Sequence, residues 1–321
     1  MVETLVTLVD LTLSIEKLRI QTGTKQTYNF KNGTKELFDQ GRITKKDLED
    51  YDEYWKKYRV IPAALGSLVD SFPLGRHQYQ DEQIDTIYAH LVGLEAYVDG
   101  EIAKKIEDHP AWPWFSRVKG VGDENIAKIV GLLDISKAPH PSSFCMYAGF
   151  APDEDGKSMK RVKGEKVRYN QQLRSMCWRL SVGLKMAQGV FYDYYIKEKE
   201  KYLGRFANQG IKVLPTPAGK YVCANCGESF TKKPGIADCC NNQKISKVVR
   251  EEPAGVMWLG HVDNMAVRKM IKLFLICLHI EWAIAVGLPA PTPYPIGQLG
   301  HSHIITPEEM TDRPPRKKKN K

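Results

Sequence analysis

Phe115-Ser-Arg-Val-Lys-Gly-Val-Gly-Asp-Glu-Asn-Ile-Ala-Lys-Ile-Val130 is the stretch whose reading decides the fold. It reads as a tight glycine hairpin feeding a helix. Gly120 and Gly122 flank Val121, and glycine tolerates the crowded or left-handed backbone that a bend between two helices needs. The helix after Gly122 starts with unpaired N–H groups, which suit a phosphate. A helix-hairpin-helix element grips a nucleic-acid backbone in this way without reading bases. Lys119, Gly120, Gly122 and Lys128 are therefore the first candidate nucleic-acid contacts.

Two further pieces follow: Pro139-His-Pro-Ser-Ser-Phe-Cys-Met-Tyr-Ala-Gly-Phe-Ala-Pro152 and Asp155-Gly-Lys-Ser-Met-Lys-Arg-Val-Lys-Gly164. Residues 153 to 164 lack an apolar period and read as an exposed loop. Ser158 lies in it among Lys157, Lys160, Arg161, Lys163, Lys166 and Arg168. The hairpin and this basic strip are expected to form a single seat for a sugar–phosphate chain.

The wider composition agrees with a polyanionic partner. The chain of 321 residues has 47 basic and 38 acidic side chains, a net charge of +9 and a pI near 9.0. No apolar run reaches the ~20 residues of a membrane span. Seven cysteines, four of them clustered, fit a reducing, cytoplasmic setting and a metal better than a disulfide framework.

The expected fold is mainly α, with a helix-hairpin-helix element and a small zinc-knuckle insertion. Five regions are expected. Residues 1–79 form an N-terminal helical region, in which 22–35 is turn-rich and 61–74 a short helix. Residues 80–200 contain a long helix, the hairpin and a second long helix over 167–201. Residues 201–253 are the insertion, 254–300 a C-terminal helical region, and 301–321 a basic, disordered tail. Ile84, Ile87, Tyr88, Leu91, Leu94, Val98, Ile102 and Ile106 make an apolar stripe. Such a stripe packs on a partner helix, within the chain or across a homo-oligomer.

Cys223-Ala-Asn-Cys226 has the spacing of a metal knuckle, and Cys239 and Cys240 follow at a fitting distance. Thiolates at this spacing share one tetrahedral structural zinc. Adjacent cysteines share one metal poorly, so one of them is a spare if the fourth ligand comes from elsewhere, such as His261.

With these pieces set out, the order resembles the C-terminal domain of transposases of the insertion-sequence 110/116/902 group, which includes pilin-gene invertases. The matching positions are Gly120, Gly122, Asp134, Pro141, Tyr147, Gly149, Pro152, Gly156, Ser158, Asn170, Leu173 and Arg174. They cover roughly residues 85 to 200, a little over a third of the chain. The resemblance implies a DNA-binding transposase or site-specific recombinase in which Ser158 attacks the phosphodiester. It also implies DNA as partner, and leaves room for a guide RNA. The first serine of the family's loop is replaced by Asp155, and the glycine before Asn170 by Tyr169. The family's N-terminal RNase H-like domain, with four metal-binding carboxylates, is not evident; Asp10 alone imitates its first acidic position. Magnesium enters only if an acidic site is supplied. The alternative is a non-catalytic nucleic-acid-binding protein derived from such a transposase.

Overall fold

The N-terminal residues, readable by period as helix or strand, are helical. In the computed structural model, Val2–Asp39 form one helix, α1, of 38 residues. The turns expected over 22–35 are therefore part of a helix, although Gly23 and Gly33 each cost it about 1 kcal/mol of propensity. Packing along α1 overrides that local preference. The structure describes residues 2–47, 49–50, 82–153, 156, 158–161, 164–224, 226–231, 245–248, 251–289 and 305–314. The short helix expected over 61–74 lies outside them.

Helix α2, Glu82–Lys105, carries the apolar stripe. One face of it meets α1 through polar side chains, while Ile87 and Leu94 of the stripe are exposed. Thr12 donates from Oγ1 to Asp99 at 2.8 Å, Arg19 pairs with Glu95, and Gln26 bonds Asp85. As the α1 numbers rise the α2 numbers fall, so the two helices run antiparallel. Polar pairs at intervals along the two helices fix their register.

The stretch around Gly120 has a short helix before it, α3, Trp112–Phe115, and α4, Asp123–Gly131, after it. Next come α5, Pro141–Tyr147, α6, Gln171–Ala187, and α7, Val190–Asn208. One long helix over 167–201 is thus broken in two. Gln188 adopts a left-handed conformation (φ 49°) that closes α6, and Gly189 caps α7.

Helix α8, Leu259–Ala285, is apolar on most of its circumference and forms the core. Met270, Phe274, Leu275 and Leu278 are fully buried. Trp114 and Phe191 meet Phe274 with ring centroids 5.3 and 5.5 Å apart. Each such buried side chain contributes about 1.5–3 kcal/mol. α7, α5 and α6 pack around α8.

The strands are short. β1, Lys212–Leu214, pairs in parallel with β5, Val256–Trp258. Between them β2, Lys220–Cys223, is the centre of a three-stranded antiparallel sheet with β3, Ser229–Phe230, and β4, Ile245–Val248. The chain divides into two compact units. One is Met1–Asp10, Gly100–Thr216 and Glu252–Lys321; the other is Leu11–Asp99 and Pro217–Glu251. The protein is mainly helical, and among the described residues no helix is long and apolar enough to cross a membrane.

Candidate functional site

The expected single seat is divided between two places. Gly120 has φ +84° and lies against α6, where a Cβ would sit 2.4 Å from the Gly183 carbonyl oxygen. A Cβ on Gly183 would in turn lie 2.5 Å from the Gly120 oxygen. Gly120 therefore serves a backbone-to-backbone contact within the fold. The Ser158 loop is tied to the other end of α6, where Arg174 donates from Nη1 to the Met159 carbonyl at 2.9 Å. Nine residues of helix separate Arg174 from Gly183, which is about 14 Å along the axis. One phosphate does not touch both.

The hairpin cations also differ from expectation. Lys128 is buried, and its ammonium pairs with Glu124 at 2.8 Å, so it does not face a ligand. Gly122 is exposed and begins α4 without a side-chain cap. The Lys119 side chain is exposed, but its backbone N–H donates to Asp312 Oδ2 at 2.8 Å. Asp312 Oδ1 accepts from the Val190 N–H, also at 2.8 Å. One carboxylate thus satisfies the hairpin and the positive N-terminus of α7, a position that favours an anion.

Asp312 belongs to residues 305–314, which the sequence places in a disordered tail. They are instead docked. Arg117 makes a bidentate pair with Glu308, both bonds 2.6 Å, and Trp114 Nε1 donates to the Pro307 carbonyl at 2.9 Å. Met310 is buried. The Arg117–Glu308 pair is solvent-exposed and adds little, so the docking rests on the Trp114 bond and the burial of Met310. Asp312→Ala, which leaves two N–H groups without their acceptor, should cost about 2 kcal/mol in chemical denaturation, and Asp312→Asn less.

The loop end of α6 is the better-built site. Asn170 caps the helix, its Oδ1 accepting from the Leu173 N–H at 3.0 Å. Its own backbone N–H donates to the Tyr147 carbonyl at 2.8 Å, and its side-chain amide to the Tyr147 hydroxyl at 3.1 Å. Gly149, at φ +72°, admits the Tyr169 ring, which a Cβ would meet at 2.7 Å. The Arg174 guanidinium lies 4.7 Å from the centroid of that ring. Motif positions that looked independent in sequence brace one another here.

Ser158 pairs with Pro152 as an antiparallel bridge, with Gly156 at positive φ between them. The serine lines a pocket of about 230 Å³ with Phe150, Tyr202, Arg268, Lys269 and Lys272. Arg268 donates from Nη2 to the Phe150 carbonyl at 3.3 Å, and its guanidinium lies 5.5 Å from the Phe150 ring centroid. Burial holds Arg268 below its ordinary value, and the neighbouring Arg174 adds to this.

The apolar residues of α8 dominate its sequence and mask these cations. The signal was present: Arg268 and Lys272 are four apart and so share one face. Of the predicted basic strip, Lys160, Arg161, Lys166 and Arg168 are exposed. Lys157 and Lys163 lie outside the described residues.

Cys223, at the end of β2, is buried, and Cys226 is exposed; neither is in a disulfide. The turn between them is closed by the Gly227 N–H donating to the Cys223 carbonyl at 2.9 Å, and by the Cys223 N–H donating to Glu228 O at 3.0 Å. Cys239 and Cys240 lie outside the described residues. Among the described residues no group of three or more His, Cys, Asp or Glu is placed to hold a metal ion. His261 is engaged with Glu252, its Nδ1 3.0 Å from Oε2. Cys145, Cys177 and Cys277 are buried, and burial pushes the Cys145 thiol up to about 12, which makes it an inert core residue. No protein-family model, curated protein or solved structure matches this chain.

Proposed function

We propose that this chain is a DNA-binding protein of the transposase or site-specific recombinase type, with Ser158 as the nucleophile. The supporting observation is the place of Ser158, on a braced loop facing a pocket whose other wall carries Arg268, Lys269 and Lys272. In the step, Ser158 Oγ bonds to phosphorus and the bond from phosphorus to a deoxyribose oxygen breaks. The hydroxyl proton passes to water, and the departing oxygen takes a proton from water. The strand stays joined to the protein as a serine phosphodiester, which conserves the bond for rejoining. Nearby cations offset the charge on the transferring phosphoryl group. DNA is the partner in this reading, with a guide RNA and a homo-oligomer as further components. The exposed Leu18 and Leu94 on the α1–α2 pair supply apolar surface for a second copy.

Wild-type protein incubated with duplex and branched DNA should form adducts that survive a denaturing gel. Ser158→Ala should form none. Adducts that persist in the variant, or none with wild type, count against the assignment.

A second reading, a non-catalytic binder descended from such an enzyme, has its own support. Asp10 sits on the exposed side of α1, and residues 2–39 and 82–105 are two long helices. The acidic domain of the resembled family alternates strands and helices.

Cys223 and Cys226, with Cys239 and Cys240, are the proposed ligands of a structural zinc. The closed turn at Gly227 keeps the first pair on one short loop. Zinc at such a site is a folding device. Purified protein should contain about one zinc per chain, and Cys223→Ser should lose it. Chelation should expose residues 217–251 to protease.

A further inference from the structure

Helix α8 buries most of its surface, yet Arg268, Lys269 and Lys272 project from one stretch of it into the pocket of Ser158. A cation withdrawn from water is costly unless an opposite charge or hydrogen bonds balance it. Arg268 and Lys272 are half-buried and Lys269 is exposed, and among the described residues none of the three makes an ion pair with a carboxylate. Arg268 is held by a carbonyl and a ring, both belonging to Phe150. Arg174 approaches the same ring, at 5.8 Å from its centroid. The Lys272 ammonium sits below its ordinary value through burial; Cys145 opposes this, and Lys269 and Arg268 reinforce it. The charged groups around this pocket thus repel one another, and an anion would relieve all of them at once.

We infer that Arg268, Lys269 and Lys272 form a seat for one phosphate of a polynucleotide backbone, in the same pocket as Ser158. The inference rests on the function proposed above and gives that function its positioning residues. A pocket of about 230 Å³ takes a phosphate with part of its sugar. A duplex stays outside and must present one phosphate to it. Phe150 and Tyr202 give the sugar an apolar wall, as aromatic residues do where strands track over proteins.

Fluorescence anisotropy with labelled single-stranded DNA, and with RNA of the same sequence, tests the seat. The proteins carry Ser158→Ala, so that binding alone is read. Lys269 is exposed, so Lys269→Ala is expected to keep the fold; Lys272→Met retains its stem, and thermal melts check both. Each variant should weaken DNA binding at every sequence alike. Each should reduce the slope of log K against log salt by about 0.7, the value for one phosphate contact on a single strand. Inorganic phosphate should compete with DNA less well against either variant than against the parent.

Loss on the DNA arm, with or without loss on the RNA arm, supports the seat. Loss on the RNA arm alone contradicts its place beside a DNA-attacking serine. Unchanged affinity and slope in both variants, or no binding by the parent, overturns the seat, even where adducts at Ser158 are found. Adducts absent in wild type, with the DNA loss as expected, overturn the nucleophile and leave the seat standing.

Discussion

Gly120→Ala is expected to destabilise the protein by more than about 3 kcal/mol, on the scale of overpacked and strained positions. Two independent costs act at this residue. Its φ of +84° is a conformation that L side chains rarely adopt. Its new methyl would lie 2.4 Å from the Gly183 oxygen and 2.9 Å from the Leu184 Cα. Both atoms belong to the backbone of α6, which does not yield as a flexible side chain would. Ile126 and Val130 of α4, a helix that packs on α6, are buried, so the strain has no soft neighbour to yield to. Gly183→Ala meets the same contact from the other side, at 2.5 Å, but in an ordinary helical conformation. It should therefore cost less than Gly120→Ala. Urea denaturation of both variants checks the order. Equal or negligible losses would show that the hairpin does not pack on α6 in this way.

Stability should also fall between pH 6.5 and about 4 because of His109. This imidazole is buried between Phe115 and Trp282, with ring centroids 5.8 and 4.4 Å away. Its Nδ1 accepts from the Ala111 N–H at 3.1 Å, and its Nε2 has no hydrogen-bond partner. Burial brings it down from 6.5 to about 4. The folded state thus keeps the ring neutral where the unfolded chain protonates it. The unfolded state then binds more protons, so stability rises with pH across this window. The contribution is complete above 6.5 and lost as pH falls towards about 4. That gap corresponds to about 3 kcal/mol. Other groups titrate in the same range, so the readout is a difference. His109→Phe should be less stable than wild type at pH 7, with the gap closing towards pH 4.5. Parallel curves for the two proteins would contradict a neutral buried His109.

The helices were legible in sequence where their apolar period was strong. The stripe from Ile84 to Ile106 marked α2, although its partner could not be read, because polar pairs such as Thr12–Asp99 link residues 87 apart in sequence. Residues 22–35 misled because glycine and asparagine signal turns locally, while packing along a 38-residue helix prevails. The docked residues 305–314 were illegible for a similar reason. Asp312 and Glu308 acquire meaning only beside Lys119, Val190 and Arg117, which lie far off in sequence.

The candidate site was half legible. Ser158 and the motif positions Tyr147, Gly149, Asn170 and Arg174 were singled out, and the fold gathers them at one end of α6. Lys128 reads as a ligand contact from its charge and its place in the helix after Gly122, whereas its ammonium pairs with Glu124 one turn earlier. The opposite wall, from Arg268 to Lys272, comes from a helix more than a hundred residues later and is brought there by the burial of α8.

The most direct measurement of the central claim maps the protein–DNA adduct itself. The trapped complex is digested with nuclease and protease, and its peptides are sequenced by tandem mass spectrometry. A nucleotide remnant on Ser158 is expected. A remnant on any other residue, or an adduct retained by Ser158→Ala, would contradict it.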